Sequence, residues 1–298
     1  MHNNYFFGFI LVCIAALVWS FGTLTLRHSV DLESHLIPFL LVRGLSAFVV
    51  IFAFVWYRDG KNVVKNIKRL DRYSLLGSLI LGFGMVCFVF SITKTTMAIS
   101  MIMLAISPLL AAILGFLLLG EKLSRTTILN MLVVIAGVVV ILYGTNDSSS
   151  LLGAAVGLLV ALCFALFTIT LRHNPDMPKL ITPAIGGLFS AFCMLTYIVF
   201  SDIPLALSAH NITMAIISGT VVGIGLILFT LGAKYLPAAE LILLSLLESI
   251  AGIFWVWLPA FGVNEVPASN TIIGGFIILA AIIFQGLKNH KTQAARIP

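Results

Sequence analysis

The sequence predicts an all-α integral membrane protein of ten transmembrane helices, arranged as two five-helix repeats of opposite orientation. Three observations carry that expectation: the composition, a train of bilayer-length apolar segments, and an internal repeat with basic residues sorted between its loops. Of the 298 residues, 60% are hydrophobic and only 9% charged, which leaves too few polar side chains to cover a water-soluble globule of this size.

A helix needs about 20 apolar residues to cross the hydrocarbon core, and such runs follow one another from Tyr5 to Leu287. They are expected at roughly 6–27, 36–57, 74–93, 97–119, 126–143, 152–171, 180–200, 212–232, 238–259 and 270–287. The third and fourth are separated only by Ser91-Ile92-Thr93-Lys94-Thr95-Thr96, so a very tight turn is expected there. The first run is expected to belong to the fold and not to be a cleaved leader. No basic residue precedes it, and its last turns carry Thr23, Thr25 and Arg27 in place of a small-residue cleavage site.

The same run has a twin. Gly8–His28 aligns without gaps on Gly153–His173 with eight identities in 21 positions, both ending in Thr-Leu-Arg-His. The correspondence continues: Gly44 to Phe48 with Gly187 to Phe192 after one inserted residue, Gly82, Gly84 and Phe88 with Gly223, Gly225 and Phe229, and Ala98 with Ala239. Ile128 to Val139 then follows Ile272 to Ile283, after a three-residue insertion before Glu265. A register kept through the chain implies duplication, with residues 1–147 as the first repeat and 148–298 as the second.

Lysine and arginine in short loops are retained on the cytoplasmic side. Arg58, Lys61, Lys65, Lys68, Arg69 and Arg72 fall between segments 2 and 3; Lys122 and Arg125 between 4 and 5; Arg172 and Lys179 between 6 and 7; Lys234 between 8 and 9; and Lys288, Lys291 and Arg296 in the tail. The opposite side has only Arg27 and Lys94. Both termini are therefore expected to be cytoplasmic. An odd number of helices per half then inverts the second half relative to the first. Inverted repeats recur in secondary transporters, whose site lies near mid-membrane where the halves meet, so carriage of a small polar solute is the functional expectation.

Several motifs sharpen this. Phe39-Leu40-Leu41-Val42-Arg43 opens segment 2, Ser107-Pro108 leads to Leu117-Leu118-Leu119-Gly120-Glu121-Lys122-Leu123 in segment 4, and Leu247-Glu248 lies in segment 9. In order, spacing and duplication the whole chain resembles the drug/metabolite transporter superfamily, in its ten-helix branch of two EamA domains. It departs from that pattern at Ser249, where the family often has proline, and across Pro259 to Glu265, where the loop is longer. The resemblance implies transport without ATP hydrolysis, of amino acids, amines, nucleotide derivatives or other metabolites, often outward. The absence of a Gly-rich Walker loop agrees, and Gly-Ile-Gly within Gly219 to Gly225 reads as close helix packing.

Candidate site residues are those whose presence in lipid is costly. Arg43 comes first: an intramembrane arginine costs about 2.5–3.5 kcal/mol on insertion scales and faces protein or water. It would lie roughly 10 Å deep, binding carbonyls or a helix end structurally, or pairing with a carboxylate or substrate. Glu248, near the middle of segment 9, shares a helical face with Ser245, Gly252 and Trp255. It could bind a cationic substrate, exchange a proton as the coupling residue, or pair with Arg43. Its repeat counterpart is Ser107, on a small-residue stripe with Ser100, Ala111 and Gly115.

Trp19 lies near the centre of segment 1, away from the interfaces tryptophan favours, and its counterpart is Phe164. These two, with the matched pair Phe88 and Phe229, are candidate cavity walls that could stack a planar substrate or hold a quaternary amine. The cavity is expected between segments 1, 2, 4, 6 and 9.

The remaining features point to architecture. Tyr5, Trp56, Tyr57 and Tyr143 sit where aromatic belts belong, and Val63, Ile67 and Leu70 give the basic 2–3 loop an amphipathic stripe suited to anionic headgroups. The net charge of +6 reflects that topology, and nucleic-acid binding has no support. Cys13, Cys87, Cys163 and Cys193 fall within segments without metal-ligand spacing, so no metal or cofactor is expected. The expected partners are the bilayer, a small-molecule substrate and a coupling ion or exchanged solute. The competing classes are an intramembrane enzyme or structural subunit, for which Glu248, Ser245 and Ser107 would be the reactive cluster, and a channel.

Overall fold

The computed structural model describes residues 2–119, 125–143, 148–173, 179–236 and 238–294. Glu121 and Lys122 of the Gly-Glu-Lys-Leu motif, Arg296 and the boundary between the expected repeats lie outside them. Every regular element among the described residues is helical. In order these are α1 (His2–Arg27), α2 (Leu36–Asp59), α3 (Asn62–Lys68), α4 (Arg72–Lys94), α5 (Met97–Leu104), α6 (Ser107–Leu119), α7 (Arg125–Tyr143), α8 (Ser148–His173), α9 (Ile181–Ser201), α10 (Ala209–Gly232), α11 (Ala238–Trp257) and α12 (Ser269–Ala294). A single 3₁₀ turn, Pro259–Phe261, follows α11.

Seven spans are long and apolar enough to cross a membrane: Tyr5–Arg27, Leu36–Asp59, Arg72–Lys94, Met97–Leu118, Ser150–Thr170, Ile181–Ser201 and Ala209–Gly232. Three shorter apolar stretches, Ile128–Tyr143, Leu244–Trp257 and Ser269–Ala281, complete the bundle. The outward faces carry large apolar side chains such as Val49, Leu117, Phe200 and Phe276, all more than half exposed. Such a surface is stable only against lipid, and this is an integral membrane protein.

Two expectations need correction. Segment 4 is not continuous: it breaks at Ala105 and Ile106 into α5 and α6. The cause is Pro108, which lacks the N–H that would reach Leu104 and crowds that carbonyl, while restricting the residue before it. The chain turns tightly instead, with Ile106 N donating to Met103 O at 3.1 Å and Leu109 N to Ile106 O at 3.0 Å. The basic 2–3 connection, expected as a loop, contains helix α3, with Val63 buried, Leu70 packed against the core and Ile67 exposed.

The tight 3–4 connection is a two-residue turn. Ser91 to Lys94 continue α4, Thr95 caps its end, and the Thr96 side chain opens α5 by accepting from Ile99 N at 3.3 Å. At the other end of α4, Asp71 is the N-cap, accepting from Ser74 N at 2.8 Å and Ser74 Oγ at 2.6 Å. Removing an N-cap acceptor leaves helix donors unsatisfied. Asp71→Ala is therefore expected to destabilise the protein by about 1 kcal/mol, measured as a lower unfolding temperature in detergent, and Asp71→Asn to recover most of the loss.

Glycine sets how closely the helices approach. A methyl on Gly44 would sit 3.0 Å from Gly187 O, and one on Gly187 3.1 Å from Gly44 O, so α2 and α9 cross backbone to backbone. Gly137 of α7 and Gly274 of α12 cross in the same reciprocal way. The other main packed pairs are α1 with α10 and α11, α4 with α8 and α9, α2 with α10, and α8 with α5 and α6.

Candidate functional site

Helix α2 enters the bundle with Phe39 and Leu40 fully buried, and one turn deeper Arg43 is buried with them, only 4% exposed. Its Nε donates to Ser218 Oγ of α10 at 3.1 Å, and its Nη1 donates to Met85 O of α4 at 3.2 Å. Gly219 makes this possible, because the Arg43 carbonyl lies where any Cβ on Gly219 would project. Helix α10 can then lie against α2 closely enough for Ser218 to reach the guanidinium.

Arg43 faces a cavity of about 110 Å³. Helix α1 contributes Trp19, Gly22 and Leu26; α4 contributes Leu81, Gly84, Met85 and Phe88; α8 contributes Val160, Cys163 and Phe164; and α10 contributes Ser218, Val222 and Leu226. Leu104, Ala105 and Ser107, at the break between α5 and α6, close one side, and Ser245, Leu246, Glu248 and Ser249 of α11 the other. A broken helix can place backbone polar groups at membrane depth only where it borders protein or a cavity, and this break borders the cavity.

The two intramembrane charges share that cavity without forming an ion pair within 4.0 Å. Glu248 is half-buried, and among the described residues its carboxylate accepts no hydrogen bond. Its electrostatic partner is Arg43, beyond ion-pair distance, and a carboxylate held in a largely apolar cavity without a direct contact is costly, which leaves it able to receive a cation, a proton or a hydrogen-bond donor.

The aromatic residues divide. Trp19 donates Nε1–H to Val222 O at 3.2 Å, meets Phe164 edge-on at 6.3 Å and lies tilted over Phe229 at 5.3 Å. Phe164 and Phe229 are 5.7 Å apart. Phe229 is fully buried beneath the other two and does not line the cavity, whereas Phe88, the residue matched to it in the sequence, does. Three of the four aromatic candidates therefore form walls, and Phe229 supports them.

Of the expected polar stripe on α11, Ser245 and Glu248 face the cavity, but Gly252 packs on Thr23 and Met101, and Trp255 donates to Ser20 Oγ at 2.9 Å while stacking on Phe21 at 5.1 Å. The stripe anticipated from Ser107 to Ser100 is interrupted by the Pro108 break. Ser107 lines the cavity, while Ser100 shares a 2.8 Å hydrogen bond with Ser91, which donates to Gly153 O at 2.7 Å. The cavity is also wider in origin than expected, since α4 and α10 supply walls. Ser218 and Ser249 were not among the expected residues. Ser218 adjoins the Gly-Ile-Gly helix, and Ser249 stands where the related motif has proline; nothing else in the sequence distinguishes them. Among the described residues no cluster of three or more His, Cys, Asp or Glu is placed to hold a metal.

Membrane-crossing helices packed around a mid-depth cavity with a buried cation and a half-buried carboxylate define a transport protein of the membrane. Residues 6–143 match the EamA-like transporter family, and the protein carries an EamA-like transporter domain of the drug/metabolite transporter superfamily. The pseudopaline exporter CntI of Pseudomonas aeruginosa strain UCBPP-PA14 is 27% identical over 211 residues, 70% of this chain and 71% of that protein. The CntI protein of strain PAO1 is 26% identical over the same shares. One solved crystal structure superposes over 96% of this chain and 98% of its own with a TM-score of 0.67 at 17% identity, which shows a shared fold.

Proposed function

We propose that this protein is a secondary transporter that carries a small polar metabolite, an amino acid, amine or nucleotide-derived compound, through the central cavity by alternating access. The observation that carries the reading is the pair Arg43 and Glu248, which face one cavity and attract each other across it without a direct ion pair. A substrate can complete what the protein leaves open, and Trp19, Phe88 and Phe164 offer apolar walls for the rest of it. Arg43, Ser107, Ser218, Ser245 and Ser249 are assigned to substrate binding, and Glu248 to substrate or to an exchanged proton or coupling ion. The similarity to pseudopaline exporters favours outward movement.

The architecture proposed for this mechanism is ten crossings in two inverted five-helix repeats, 1–147 and 148–298. Under the repeat, α1 corresponds to α8, α2 to α9, α4 to α10, α5 and α6 to α11, and α7 to α12. Each main packed pair then maps onto another: α1 with α10 onto α8 with α4, α2 with α10 onto α9 with α4, and α1 with α11 onto α8 with α5 and α6. The crossings α2 with α9 and α7 with α12 map onto themselves. Halves with equivalent interfaces can exchange conformations at similar energy, as alternating access requires. The basic loops support a reading with both termini in the cytoplasm and the protein in the cell membrane, the inner one in a Gram-negative cell.

Counterflow in proteoliposomes tests the function. Vesicles loaded with a mixture of amino acids, amines and nucleosides are expected to accumulate at least one of these in labelled form transiently and saturably. Linear, unsaturated entry would indicate a channel, and no entry of any labelled solute would reject the carrier reading.

A further inference from the structure

We propose that Arg27 and Glu265 form the outer gate of the cavity, a charged clasp whose opening exposes the site to the non-cytoplasmic face; this rests on the carrier reading above. Arg27 is the last residue of α1, and its Nε lies 2.7 Å from Glu265 Oε2. That contact is an ion pair by distance, with the Nε–H direction outside hydrogen-bond geometry. The other two guanidinium nitrogens donate across to the end of α4, Nη1 to Ile92 O at 3.2 Å and Nη2 to Thr95 O at 3.1 Å. Glu265 completes the circuit: its Oε1 accepts from Met97 N, the first residue of α5, at 2.6 Å, and its own N–H donates to Val256 O of α11 at 2.8 Å.

The clasp thus joins four elements that also wall the cavity, α1, α4, α5 and α11. Helix α1 carries Trp19, Gly22 and Leu26 below Arg27. Helix α5 is eight residues long, about 12 Å at 1.5 Å per residue, with the clasp at its first residue and the cavity-lining break at its end. Helix α11 carries Glu248 about two turns from Val256. Any movement that separates α1 from α5 and α11 at this end must break the ion pair, and any that separates α1 from α4 must break the two hydrogen bonds that Arg27 donates.

Two further observations make this a gate rather than an ordinary surface pair. Arg27 and Lys94 are the only cations assigned to this face, and both are engaged, Lys94 by Glu33. The side chains of Arg27 and Glu265 are about three-quarters buried, at 24% and 20% exposure, so the charges are partly desolvated and the pair is worth more than a solvated one. The insertion that lengthens Pro259–Glu265 supplies the reach. In the alignment of the two halves, Arg27 and Glu265 correspond to Arg172 and Glu121, so the same two residue types occur once per half.

The test uses Cys163, which lines the cavity, as the sole cysteine in a Cys13→Ala, Cys87→Ala, Cys193→Ala background. Labelling by a membrane-impermeant maleimide is followed from the outer face of intact cells. Glu265→Gln retains an acceptor for Met97 N but removes the charge, and is expected to speed labelling about tenfold, as loss of a charge-assisted contact implies. Arg27→Met should do the same, and Arg27→Lys, which keeps the charge but loses the fork that reaches Ile92 O and Thr95 O, should fall between the parent and Arg27→Met. A monodisperse gel-filtration peak for each variant excludes misfolding as the cause. Unchanged labelling in both Glu265→Gln and Arg27→Met overturns the gate, as does equal acceleration in Arg27→Lys. Counterflow by the same variants separates the two claims: solute exchange with unchanged labelling rejects the clasp alone, and accelerated labelling with no exchange of any solute rejects the carrier alone.

Discussion

Glu248→Gln is expected to abolish counterflow while leaving the unfolding temperature within about 2 °C of the parent. The substitution preserves shape and removes only the charge, and among the described residues no hydrogen bond to the carboxylate is lost with it. Without a local ion-pair partner to strand, the fold has little to lose. The transport cycle loses the group assigned to meet a cation or proton, so exchange should fall by at least about 100-fold, a difference of about 2.7 kcal/mol in binding or translocation. Exchange at the parental rate would remove Glu248 from the site. A large drop in unfolding temperature would instead make it a structural residue.

The second large effect is expected at Gly219, and it is structural. A methyl there would overlap the Arg43 carbonyl oxygen and lie 2.7 Å from Ser46 Cβ and 3.1 Å from Ala47 N. Backbone atoms cannot turn aside as a flexible side chain can, so α10 must move away from α2. Overpacking of this kind costs about 1–3 kcal/mol, and Gly219→Ala should lower the unfolding temperature by about 5 °C or more. Because Ser218 moves with the helix, the Arg43 Nε hydrogen bond at 3.1 Å is lost with it, and solute affinity should fall in the same variant. Gly22→Ala is the control, since a methyl at Gly22 meets only Val221 Cγ1, at 3.8 Å. A Gly219→Ala protein as stable as the Gly22→Ala one would show that the α2 and α10 contact has slack.

These outcomes separate two kinds of cavity residue. Arg43 is held by Ser218 and Met85 O, so its position is a property of three helices together. Glu248 is placed by α11 and makes no direct contact with Arg43, to which it is linked only by attraction across the cavity. Substitutions around Arg43 should therefore couple stability to transport, and substitutions at Glu248 should not.

Much of the fold was legible in the sequence because the information is local. Apolar runs of bilayer length, the basic loops and the Thr-Leu-Arg-His repeat are read residue by residue, and the helices begin and end within about four positions of the segments they mark, apart from the split fourth segment and α12, which runs on to Ala294. Arg43, Glu248, Ser107, Ser245, Trp19, Phe88 and Phe164 were also legible, since polar or outsized residues in a lipid-length run must face protein or a cavity. The break before Pro108 was written in the sequence too, through the missing N–H.

Three matters were decided only by tertiary packing. One is which charge meets which: Arg43 turns to Ser218 and Met85 O and leaves Glu248 open, whereas Arg27 and Glu265 come together from positions far apart in the chain. Another is depth within a matched pair, where Phe229 is buried beneath Trp19 and Phe164 while Phe88 faces the cavity. The last is the role of small residues, since Gly219 and Ser218 look alike in a helix of small side chains until α2 is laid against them. The sequence by itself determined a membrane bundle, its helix positions and the polar residues it must shelter, because hydropathy and backbone chemistry act along the chain. Which of those residues share a cavity, and which pair at its edge, was decided by contacts between helices distant in the chain, because a side chain's partner across a bundle depends on the crossing of two helices and not on either sequence alone.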